Sequence, residues 1–192
     1  MLFMNNGRAS CPAPLLKTTV EYYYLRHHFN KKKQKPPQKQ KMTKGSDIIV
    51  NRYRNFIKTV CETDIVYTLQ NQNGFAMASS VQYGDEFDQP VGILCFWAIH
   101  GRANSCIINQ WADYRITEIS LTEFIETWGV GMENDGILAG IGFDQKMFGY
   151  EAKPLDLILD LVAEIKATKK NISLQKFENL TDLEEQAKIA NR

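Results

Sequence analysis

Long apolar runs are missing from this 192-residue chain. A helical membrane span needs about eighteen or more consecutive apolar residues, so none is expected, and the chain reads as soluble with no membrane partner. Paired cysteines are missing too. Cys11, Cys61, Cys95 and Cys106 form no Cys-x-x-Cys motif, and the last three fall inside apolar periodic segments, the setting of reduced core thiols. Spacing leaves a Cys95–Cys106 bridge open, but reduced thiols and a cytoplasmic location are the expectation. Histidine is scarce: after His27 and His28 there is only His100, and Cys95 with His100 lacks the companion pair that a zinc site requires. No G-x-S-x-G occurs to present a serine nucleophile.

Acidic residues are nearly absent from the first forty-one positions. Met1 to Lys41 holds nine Lys or Arg against Glu21 alone, whereas the remainder holds 14 basic and 21 acidic residues. The overall charge of +1 therefore joins two unlike materials. The stretch LRHHFNKKKQKPPQKQKM has no amphipathic face to bury and reads as a disordered extension over 1–41. Clustered lysines gain affinity by displacing counterions from phosphates, so nucleic-acid binding is expected from this arm or not at all. The compositional break suggests a translation start at Met42, with the extension carrying no selected role.

From there one α+β domain is expected over 42–170, followed by a marginal helical tail over 171–192. Ile49, Tyr53, Phe56, Ile57 and Val60 recur at helical spacing. Ile65, Tyr67 and Leu69 alternate, as do Phe75, Met77, Ser79 and Val81, with Asn73-Gly74 between them to turn a hairpin. VGILCFW, apolar on both faces, predicts a central strand. A helix is expected near Ala103 to Gln110 and a short strand over Ile116 to Ile119. In SLTEFIETW, Ser120 and Glu123 form a capping box with reciprocal bonds, and Leu121, Phe124, Ile125 and Trp128 mark a buried helical face. Pro154 opens a helix with a broad apolar face, deeply packed or shared with a partner. In the tail, Thr181 and Glu184 suggest a second box. The predicted sheet is mixed or mainly antiparallel, with helices packed mainly on one face.

GILAGIG, residues 136–142, tempts a phosphate-loop reading that fails on order and spacing. A phosphate cradle runs strand, glycines, helix, but these glycines follow a helix, do not match G-x-G-x-x-G, and lack a following Lys-Ser or Lys-Thr pair. Asp135-Gly136 is better read as a turn into a strand. Asp85, Glu86 and Asp88 do not follow a calcium-loop pattern and read as a solvated turn. Trp97, His100 and Trp111 are the candidate residues for lining a ligand pocket, although tryptophans more often fill a core and a lone histidine needs a partner that sequence does not assign.

In order, RYRNFIKTVCET, IVYTLQNQNGFAMA, the strand ending in FW, ISLTEFIETWGVGMENDGILAGIGF and the helix after Pro154 resemble the bacterial domain of unknown function 2750 family, over roughly residues 48–166. The resemblance implies a small bacterial cytosolic α+β protein. It brings no catalytic residue, cofactor or substrate.

With no assembled catalytic, cofactor or metal set in the sequence, the leading expectation is a non-catalytic binding or regulatory module. Its partner would be another protein or a second copy of itself. A small-ligand binder or enzyme with a pocket near Trp97, His100 and Trp111 is the alternative.

Overall fold

The computed structural model describes residues 44–191, so the basic extension and Met42 lie outside the described residues. Helix α1 (Lys44–Thr63) leads into β1 (Ile65–Asn71), β2 (Gly74–Phe75), β3 (Met77–Gly84) and β4 (Pro90–Trp97). Then come α2 (His100–Ser105), a 3-10 turn (Asn109–Trp111) and β5 (Arg115–Ser120). Helix α3 (121–135), β6 (Leu138–Ile141), β7 (Tyr150–Ala152), α4 (Pro154–Ala167) and α5 (Leu180–Ala190) complete the order.

β4 is the axis of the sheet. It pairs in parallel with β6 through Leu94 and Ala139, and antiparallel on its other side with β1 and β3. β5 and β7 are antiparallel to β1 and β6 respectively, so the sheet is mixed. The Asn73-Gly74 hairpin forms as its sequence predicts, with Gln70 opposite Phe75. What the alternation does not show is that the second hairpin strand breaks at Ala76. The Ala76 N–H donates to Leu69 O on β1 at 2.8 Å, while its carbonyl accepts from Cys95 N on β4 at 3.1 Å. In a regular strand both groups of one residue point to the same side. At Ala76 the chain therefore bends, leaves β1 and continues along β4 as β3. Thr68, just below the fork, is fully buried and donates its hydroxyl to Cys95 O at 2.9 Å.

The helices cover mainly one face. Val66, Phe96, Ala139 and Ile141 point from the sheet into a core shared with α1, α3, α4 and α5. The opposite face carries Leu69, Ile93, Cys95, Trp97 and Leu138, covered by Ala103, Cys106, Trp111 and Phe143 from α2 and the loops. This is the expected α+β arrangement, and it explains why VGILCFW is apolar on both sides. Cys61, Cys95 and Cys106 are free and buried, so no Cys95–Cys106 bridge forms.

Two caps differ from the sequence expectation. Ser120 Oγ accepts from Glu123 N at 3.2 Å, but the return half of the capping box is absent. Glu123 Oε1 instead accepts from the Trp128 indole at 3.3 Å, a bond across five residues in the segment Phe124–Gly129 where α3 widens into a π-helix. That widening also buries Glu126, which accepts the N–H groups of Gln175 and Lys176 and straps the chain beyond α4 onto α3. In α5 the cap is Asn179, not Thr181: its side chain accepts from Thr181 N and Asp182 N. The narrow apolar face of that helix, Leu183 and Ala187, is buried with Phe177 against the main core. Lys166 of α4 and Lys188 both pair with Glu184, whose carboxyl they hold down at about 2.

The glycines of GILAGIG are structural. Gly136 takes a left-handed conformation, φ 65°, and closes α3 through bonds to Glu133 O and Met132 O. Gly140 leaves space instead. A Cβ there would lie 2.5 Å from Ile93 Cγ2 and 2.8 Å from Phe143 Cε2, inside van der Waals contact. Replacing Gly140 by Ala is therefore expected to destabilise the fold by about 1–3 kcal/mol through overpacking. Gly101 on α2 has nothing within 4 Å of its would-be Cβ. Gly101→Ala should leave stability unchanged or raise it by a few tenths of a kcal/mol, about 0.4–1 at most. Urea denaturation of the two variants beside the parent chain measures both.

Candidate functional site

The parallel strands β4 and β6 end side by side, and the crevice beyond the carboxyl ends of parallel strands is where open mixed sheets commonly place ligands. Here it forms a cleft of about 80 Å³. Its floor is apolar, built by Phe56 of α1 and by Trp97, Ala98 and Ile99 where β4 runs out. The rim is polar. Arg52, Asn55 and Thr59 come from successive turns of α1, three and four residues apart on one helical face, and Arg102 faces them from α2. Gly142, after β6, also lines the cleft, next to Arg52.

Arg52 shapes this site more than it fills it. Its guanidinium donates to Asp144 Oδ2 from Nη1 and Nη2, both at 3.1 Å, and to Phe148 O at 2.9 Å. A longer bond reaches Gly142 O at 3.4 Å. One side chain thus ties α1 to the whole loop between β6 and β7. Within that loop Asp144 Oδ1 accepts from Lys146 N and Phe148 N, and the Trp97 indole donates to Phe143 O at 2.8 Å. Partial burial pushes the Asp144 carboxyl upward, but the Phe148 and Lys146 N–H groups and the Arg52 charge outweigh it and hold the carboxyl below its ordinary range.

Of the three sequence candidates, Trp97 and Trp111 come together, ring centroids 6.1 Å apart and edge to face, inside the core on the sheet's second face. Trp97 alone of the three reaches the cleft. His100 is exposed and rests its ring edge-on against Tyr67, ring centroids 5.6 Å apart, and does not line the cleft. Asp85, of the acidic loop, accepts from the N–H groups of Phe87 and Gln89, which is turn chemistry. Among the described residues no group of three or more His, Cys, Asp or Glu side chains is placed to hold a metal ion. The thiols are poor nucleophiles: burial pushes Cys61 up to about 11 and raises Cys95 and Cys106 as well. Arg52 and Arg102 are the site residues that sequence reading does not bring together. The helical spacing of Arg52, Asn55 and Thr59 is visible in the chain, but on its own it reads as a solvated face.

A second exposed feature is the β3–β4 hairpin. Val81 is 88% exposed and Phe87 74%, with Met77 exposed on the same hairpin. The hairpin is nevertheless firmly built. Ser80 Oγ donates to the buried Glu151 carboxylate and accepts from Gln82 N at 3.0 Å and Tyr83 N at 2.7 Å, which fixes the irregularity between Ser79 and Gly84.

Residues 53–161, more than half of the chain, match the family described as protein of unknown function, DUF2750. The chain belongs to this family. The matched span takes in the entire sheet, the β3–β4 hairpin and every residue of the cleft except Arg52, which lies one position before it. Comparison with curated proteins and with solved structures finds no match. No helix of the described residues is long and apolar enough to cross a membrane.

The Arg52–Asp144 link has a pH signature. A depressed carboxyl stabilises the folded chain above the unfolded carboxylate range, and that contribution is lost as pH falls through the lower folded value. Asp144→Asn should remove this part of the acid dependence. Melting temperatures of the parent and of Asp144→Asn, compared across the acid range, are expected to converge as pH falls and to separate above it, with the parent the more stable.

Proposed function

We propose that this DUF2750 protein is a non-catalytic protein-interaction module of the bacterial cytoplasm, and that the β3–β4 hairpin is its docking surface. The observation that carries the reading is the display of Val81, Phe87 and Met77 on a hairpin whose backbone is already fastened by Ser80 and Glu151. Apolar side chains held in advance lose little conformational freedom on docking, which favours their use as an interface. The free, buried cysteines accord with a reducing compartment.

The occupant is a second copy of the chain. No charged residue occurs between Ile65 and Gly84, so two β3 strands meet without like-charge repulsion. β3 also pairs with β4 on one side and has no strand partner on the other among the described residues. Natural edge strands are commonly protected by lysine or proline, and MASSVQYG contains neither.

Sedimentation of the full-length chain is expected to show a concentration-dependent dimer. Val81→Lys combined with Phe87→Asp should shift it to monomer while leaving the melting temperature within a degree or so of the parent at low concentration, because both side chains are exposed. A chain that remains monomeric at every accessible concentration, or a dimer indifferent to the double substitution, would overturn the reading.

A further inference from the structure

The cleft beyond β4 and β6 is lined by hydrogen-bond donors and by no carboxylate. Arg52 has its charge offset by Asp144. Arg102 is exposed, and its guanidinium has no hydrogen bond or ion pair among the described residues; the side chains of Asn55 and Thr59 are equally unengaged. The cleft therefore carries one uncompensated positive charge, two unengaged neutral polar groups and apolar lining.

We propose that this cleft binds the carboxylate of a small organic acid, with Arg102 receiving the charge, Asn55 and Thr59 donating to the same group, and the aliphatic body lying against Ala98 and the half-exposed Ile99. Three features select this ligand class. A planar guanidinium matches a carboxylate with two parallel bonds. A single net charge suits a monovalent anion better than a doubly charged phosphate. The apolar part of the lining lies beside the polar rim, so a short aliphatic chain and its carboxylate are accommodated together. The apolar floor, in turn, has nothing to offer inorganic phosphate.

The proposal is independent of hairpin docking. Its test is calorimetric titration of the full-length chain, in a carboxylate-free buffer at constant ionic strength, with acetate, propionate, butyrate and inorganic phosphate. Saturable binding of the carboxylates is expected, tighter for propionate than for acetate. Arg102→Gln should weaken it by about tenfold or more, as loss of a charge-assisted bond does. Arg115→Gln, an exposed arginine on β5, should leave it unchanged, and both variants should melt as the parent does. Absence of saturable carboxylate binding, phosphate binding as tight as propionate, or an Arg102→Gln variant with parental affinity would each overturn the assignment.

Discussion

Ala76 is hydrogen-bonded to two strands at once, and the shape of the molecule follows from that. With its N–H committed to Leu69 and its carbonyl to Cys95, the residue has no regular strand conformation open to it, so the chain bends there. The site is completely buried. Below the fork β1 and β4 pair directly through Tyr67 with Trp97 and Thr68 with Phe96. Above it they part, and β3 follows β4 alone. Where the strands separate, the Thr68 hydroxyl supplies the donor to Cys95 O. Each polar group of the fork is thus satisfied within the protein, as burial requires, and no buried side-chain nitrogen or oxygen is left without a partner among the described residues.

The opposite end of β4 is organised by a different device. Parallel strands leave their carboxyl ends without a tight turn to join them, so the segments that follow must be held by side chains. Trp97 holds Phe143, and Arg52 holds Asp144, Gly142 and Phe148, reaching them from ninety or more residues away in the chain. Phe143 in turn fills the space that Gly140 and Gly149 leave open. The cleft is what remains between α1 and these strand ends once the loop has been fastened. Its shape therefore depends on interactions that contribute no group of their own to a ligand.

How much of this was legible in the chain follows the range of the interaction responsible. Helical periodicity places α1 and α4, alternation with Asn-Gly places the first hairpin, and apolarity on both faces makes VGILCFW central. These are local patterns that burial reinforces. The failures are of another kind. The capping box at Ser120 is satisfied on one side only, because α3 widens and turns Glu123 toward the Trp128 indole. Thr181 loses the cap of α5 to Asn179, two residues earlier, where the extended backbone lets the side chain reach two N–H groups. The fork at Ala76 has no local signature, since an alternating strand reads the same whether it keeps one neighbour or changes it. The candidate site was legible in Trp97 alone; Arg52 and Arg102, fifty residues apart, become neighbours through tertiary packing.

The hairpin and the cleft lie at opposite ends of the same eight-residue strand, roughly 25 Å apart at about 3.3 Å per residue. Their connection through β4 is rigid. A strand buried on both faces cannot slip by one residue without sending every side chain to the wrong side. It is also held on both edges, by β6 on one and by β1 and β3 on the other. Energetic coupling between distant sites requires an element with two accessible arrangements that both sites bias. β4 provides only one, and so the architecture favours independence between the docking surface proposed for the hairpin and the ligand site proposed for the cleft.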